Sequence, residues 1–65
     1  VDLEMALEYV EAGQELGFEF LAEGSGESGY SIQTFKGTIH DPLDMLSLFP
    51  KVYECATQRA EQRHR

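Results

Sequence analysis

Residues 18–23, FEFLAE, and residues 30–39, YSIQTFKGTI, decide the fold of this chain. In the first stretch Phe18, Phe20 and Ala22 alternate with Glu19, Leu21 and Glu23, the two-residue period of a strand with one buried face. The second is rich in β-branched and aromatic residues, which favour a pleated, half-buried surface. Between them Gly24-Ser-Gly-Glu-Ser-Gly29 has the composition of a loop. The pair therefore predicts an antiparallel hairpin. A register with Ala22 opposite Tyr30, Phe20 opposite Ile32 and Phe18 opposite Thr34 keeps the apolar side chains on one face. Phe35 and Ile39 then share the other face with Leu21, and Gly37 marks a bulge or a close backbone approach. Two strands alone are unstable in water, so helices must cover them.

The flanking segments supply those helices. Residues 2–16 are dominated by good helix formers, with Asp2 placed to cap the start and Gly17 the end. Two apolar stripes run along this helix, Leu3/Ala6/Leu7/Val10 and Met5/Tyr9/Ala12/Leu16, with the glutamates in the sector left over. Asp41-Pro42-Leu43-Asp44 starts a second helix, with Asp at the cap, Pro at the first position and another acid two residues on. Phe49 precedes Pro50 and is pushed away from helical angles. That breaks the segment into a short helix over 42–48 and a longer one from Pro50 to about His64. The expected fold is a single small α+β domain spanning residues 1–65, of order α-β-β-α(α): an antiparallel hairpin packed with an N-terminal helix and C-terminal helices. Its expected core is Leu3, Leu7, Val10, Phe18, Phe20, Ile32, Phe35, Leu46, Phe49 and Val52. One core of this size cannot cover both helix stripes and both sheet faces, which predicts a two-fold homodimer.

Charge is the next signal. The net charge is −7, and the first 35 residues hold eight acids and no base. The remainder holds Asp41, Asp44, Glu54 and Glu61 against Lys36, Lys51, Arg59, Arg63 and Arg65. Glu4, Glu8, Glu11 and Glu15 draw one stripe on the first helix. Like charges at this spacing are mildly unfavourable in an isolated helix, tolerable facing water and useful facing a basic partner. The stripe is either a solvated, solubilising face or a docking surface. Glu23 and Glu27 at the loop add a second acidic contact, and Tyr9, Tyr30 and Phe35 are the candidate apolar anchors.

Catalytic and metal-binding parts are not evident. Cys55 is the only cysteine, which excludes a disulfide within the chain and fits a reducing, cytoplasmic setting. On its helix it reads as a small buried hydrophobe rather than a nucleophile. Neither His40 nor His64 falls at a metal-ligand spacing. No apolar run is long enough to span a membrane. The expectation is a protein that is not an enzyme and uses no cofactor or metal. It would be a small acidic interaction module, a regulator or inhibitor docking on a larger basic, nucleic-acid-handling protein. The alternative is a dimeric nucleic-acid-binding regulator using Arg59, Arg63 and Arg65. Three arginines with Glu61 among them make a weak patch, and a sequence pI near 4.5 sets the whole-protein field against phosphate.

Overall fold

The computed structural model describes residues 1–63 and shows a small α+β domain of three helices and a three-stranded antiparallel sheet. Helix α1 spans Leu3–Glu15. Strands β1, β2 and β3 span Leu21–Ser25, Gly29–Thr34 and Gly37–Ile39. Helices α2 and α3 span Pro42–Leu48 and Pro50–Arg63. His64 and Arg65 lie outside the described residues.

The helix ends follow from local chemistry. The Asp2 carboxylate accepts from Met5 N at 2.9 Å, satisfying one orphan donor of the first turn. At the other end Gly17 takes φ +91°, so Gly17 N donates to Gln14 O and Phe18 N to Gly13 O at 2.8 Å. This left-handed stop satisfies the last carbonyls and turns the chain toward the sheet. Asp41 caps α2 through Leu43 N at 2.7 Å.

The sheet departs from the expected hairpin in two ways. The β1–β2 register pairs Ala22 with Ile32 and Gly24 with Tyr30, two residues from the predicted alignment. A slip of two preserves which face each side chain occupies, so pattern alone could not tell the registers apart. The loop decides instead. Ser28 N donates to Ser25 Oγ, and the two hydroxyls lie 2.8 Å apart, closing a tight turn over Gly26-Glu27-Ser28. Residues 30–39 are also not one strand. Phe35 and Lys36 form a turn, Gly37 follows at φ +115°, and β3 folds back so that Thr34 opposes Gly37 and Ile32 opposes Ile39. The Thr34 hydroxyl accepts from Lys36 N and donates to Gly37 O. Val1 lies beside β2 through two backbone bonds to Tyr30.

Helix α1 packs on β1 and β2 and helix α2 on β3, while α3 packs on α1 and α2 rather than on the sheet. The buried core is Ala6, Tyr9, Ala12, Phe20, Ile32, Ile39, Met45, Phe49, Val52 and Ala56. Expected core residues Leu3, Leu7, Leu46 and Phe35 are instead exposed, and Val10 and Phe18 are partly buried. The reason lies in the small residues of α1. Ala6, Ala12 and Gly13 let neighbouring backbones and rings approach closely: a β-carbon on Gly13 would lie 2.6 Å from the Phe20 ring. The helix therefore turns its small-residue face and Tyr9 inward, and Leu3 and Leu7 are left on its flank. All seven leucines of the chain are exposed, from 39% at Leu48 to 71% at Leu43.

Candidate functional site

Two regions concentrate the side chains that could carry function, and they are built from opposite charge arrangements. The first is the seam between α1 and α3. Val52, Ala56, Arg59 and Arg63 recur at helical spacing on α3, and Glu8, Ala12 and Glu15 do so on α1. Ala12 and Ala56 are fully buried where the helices meet. Toward one edge of the seam, Glu8 is 1% exposed and carries its carboxylate against both arginines. Arg59 Nε donates to Glu8 Oε1 at 3.0 Å, and Arg59 Nη1 to Glu15 Oε2 at 2.7 Å. Arg59 Nη2 lies 3.4 Å from Glu11 Oε1, and Arg63 Nη2 lies 3.8 Å from Glu11 Oε2. Arg63 Nε approaches Glu8 Oε2 to 2.8 Å. That contact is an ion pair without hydrogen-bond alignment, so Oε2 is buried with charge compensation but no directed donor.

A buried carboxylate is costly unless it is paired. Two guanidinium groups lie against Glu8, and their surplus reaches Glu11 and Glu15. The hydrogen bond that Arg59 donates to Glu8 is the largest influence holding Arg59 in its charged form, with Glu15 adding to it. Three of the four glutamates in the predicted docking stripe thus face arginines of the same chain. Glu4, the fourth, is partly buried in the first turn.

The second region is the phenylalanine cleft. All four phenylalanines meet here. Phe49 stands edge-on to Phe18, Phe20 and Phe35 at 5.2, 5.0 and 5.5 Å between centroids, and Phe18 stacks on Phe20 at 5.6 Å. Beside them Leu16, Leu48, Pro50 and Val52 complete an open cleft of about 340 Å³, and Lys36 and Lys51 stand on its rim. Lys36 Nζ sits 5.2 Å from the Phe49 ring centre and 3.5 Å from Leu48 O. Such aromatic geometry favours the cation over the ring face.

The remaining predicted residues are scattered. Tyr9, expected as an exposed anchor, is 1% exposed; burial first, then the neighbouring Tyr53 and Asp41, push its phenol up. Tyr30 is half-buried beside Val1, whereas Phe35 is 73% exposed at the β2–β3 turn. Glu23 accepts from Gln33 Nε2 on the outer face of the sheet, and Glu27 stands exposed in the β1–β2 loop. Arg59 and Arg63 are in the seam, and Arg65 is outside the described residues. Cys55 donates toward Glu15 Oε2 at 3.5 Å. Burial first, then Glu15, raise its thiol pKa above the ordinary value, so the unreactive protonated form is favoured.

The sequence reading missed Lys36, Lys51, Leu16 and Leu48 as a constellation. A signal was present in Phe35-Lys36-Gly37 and Phe49-Pro50-Lys51, where an aromatic precedes a chain-turning residue and a lysine in both stretches. Among the described residues no group of three His, Cys, Asp or Glu side chains is placed to hold a metal ion, and no helix is long and apolar enough to cross a membrane. Comparison with known protein families, with curated proteins and with solved structures finds no match.

Proposed function

We propose that this protein is a small acidic interaction module that docks on a larger basic protein and modulates it, without chemistry of its own. The exposure of all seven leucines carries the reading. Leucine is ordinarily among the most buried residues, and exposed apolar groups rimmed by polar ones mark interaction surfaces. In this chain Ala6, Tyr9, Ala12, Phe20, Ile32, Ile39, Met45, Phe49, Val52 and Ala56 fill the interior, leaving the leucines as anchors for something else. Leu3 with Leu7 on α1, and Leu43 with Leu46 on α2, each form a pair at helical spacing. The same side chains would serve the two-fold dimer expected from the sequence.

The acidic part of the reading moves to different residues. Glu8, Glu11 and Glu15 already face Arg59 and Arg63, so the docking charge is assigned to Glu19 just ahead of β1, Glu23 on β1 and Glu27 in the β1–β2 loop, which are all exposed. A concentrated negative surface speeds encounter with a positive partner and sets its orientation. The nucleic-acid alternative has less support, because the guanidinium groups of Arg59 and Arg63 point at three carboxylates. A lysate pull-down with mass spectrometry, comparing the wild type with E19Q/E23Q/E27Q, tests the proposal. The basic partners held by the wild type should be lost from the triple variant. A folded triple variant that keeps every partner would contradict it.

A further inference from the structure

We infer that the phenylalanine cleft is a second docking site, of opposite charge preference, for a peptide segment carrying an aliphatic or aromatic anchor flanked by carboxylates. Charge complementarity on an apolar floor favours this occupant. Of the four described lysines and arginines, Arg59 and Arg63 are ion-paired in the α1–α3 seam. Lys36 and Lys51 make no ion pair among the described residues, and both stand on the rim of this one cleft. Lys36 approaches the Leu48 carbonyl and the Phe49 ring, which leaves donors of its ammonium group for an incoming carboxylate.

The start of α3 adds a second, independent observation. Helices α1 and α2 begin with an Asp side chain bonded to a first-turn N–H. Helix α3 begins after Phe49, has no acid in its first turn and places Lys51 there. A cation at the positive end of a helix dipole is unfavourable, and an anion seated beside it relieves that arrangement. Pro50, Lys51 and Val52 of this first turn all line the cleft. Lys36, Lys51 and the uncapped end of α3 therefore converge on an opening whose floor is Phe18, Phe35, Phe49 and Leu48. The chain's net charge of −7 does not override this. At physiological ionic strength the screening length is about 8 Å, so charges farther from the rim are largely damped, and the lining itself carries two lysines and no carboxylate.

The probe is an unlabelled heptapeptide, DDLFDLE, titrated into the 15N-labelled full chain at 150 mM salt. Its charge-reversed twin KKLFKLK and its anchor-deleted twin DDAADAE serve as controls. Amide shifts at Phe35, Lys36, Leu48 and Lys51 should saturate with DDLFDLE. The affinity should be about tenfold above that for either twin, as expected for charge-assisted contacts at a partly exposed rim. The variant K36E/K51E should reverse the preference toward KKLFKLK, and F35A, which removes a ring that is 73% exposed together with its contacts to Phe18 and Phe49, should weaken binding while the chain stays folded by circular dichroism. No saturable shift at millimolar peptide, or equal affinity for DDLFDLE and KKLFKLK, would overturn the assignment. Self-association that K36E/K51E abolishes would also overturn it, giving the cleft to a second copy. E19Q/E23Q/E27Q should leave peptide affinity unchanged, so failure here is separable from failure of the basic-partner reading.

Discussion

The α1–α3 seam and the phenylalanine cleft lie side by side on α3, and they treat charge in opposite ways. In the seam, three glutamates and two arginines satisfy one another around a carboxylate that is 1% exposed. In the cleft, two lysines stand at the mouth of an apolar opening with no carboxylate of the described chain opposite them. The same α-helix supplies both, with Lys51 at its start and Arg59 and Arg63 in its second half. Geometry accounts for the difference. Arginine presents a planar fork that can engage several carboxylates at once, as Arg59 does. Lysine carries a compact point charge on a flexible stem. The lesson is that a run of like charges in sequence does not mark the reactive surface. The charges left uncompensated after folding mark it better.

The largest expected effect separates interior from surface apolar side chains. Ile32→Ala empties a fully buried site and should cost about 2–5 kcal/mol. Leu43→Ala, at 71% exposure, should change stability by less than about 0.5 kcal/mol. Urea unfolding of the two variants gives the contrast. Comparable losses would mean that the leucine surface is covered in solution.

A smaller effect divides the glutamate stripe itself. Glu8→Ala removes the buried carboxylate shared by two guanidinium groups and should cost about 1–3 kcal/mol. Glu11→Ala, whose side chain is 44% exposed, should cost no more than about 1 kcal/mol, as surface ion pairs do. Chemical denaturation again reads the difference. A stripe that solely solubilises would give equal, near-zero values.

The smallest effect is on reactivity. Burial and Glu15 hold the Cys55 thiol protonated, so iodoacetamide should alkylate it more slowly than free cysteine at pH 8. Because the folded pKa is raised, this contribution to stability is complete below the unfolded thiol pKa and is lost as pH rises through the folded value. Glu15→Gln removes the ionic contribution and should speed alkylation. An unchanged rate would dissociate Cys55 from the seam.

Much of the architecture was legible because its signals are local. Asp2, Gly17, Asp41-Pro42 and Phe49-Pro50 mark the helix ends within a residue or two, and each acts through a cap or a forbidden backbone angle. The alternation at Phe18–Glu23 announced an extended segment, although β1 itself starts at Leu21. The third strand was hidden because Phe35-Lys36 is not a typical turn pair; Gly37 alone carried the hint, and it was read as a bulge. The leucines misled for a nonlocal reason. Which stripe of α1 is buried depends on how closely α3 and Phe20 can approach Ala12 and Gly13, a packing fact absent from periodicity. The glutamate stripe was visible but its partners were not, since Arg59 and Arg63 lie about fifty residues along the chain. The cleft was illegible for the same reason: Lys36 and Lys51 come together only after β3 and α2 have folded.

The central claim is that the acidic stripe is an internal ion-pair seam rather than an open docking face. A double-mutant cycle on Glu8 and Arg59 tests it most directly, using E8Q, R59Q and E8Q/R59Q in urea unfolding followed by circular dichroism. The account predicts that the double variant is destabilised by clearly less than the sum of the two single losses, because each change removes the same interaction. Strictly additive losses would show that the two groups are not coupled in solution, and would return Glu8 to the solvent-facing surface.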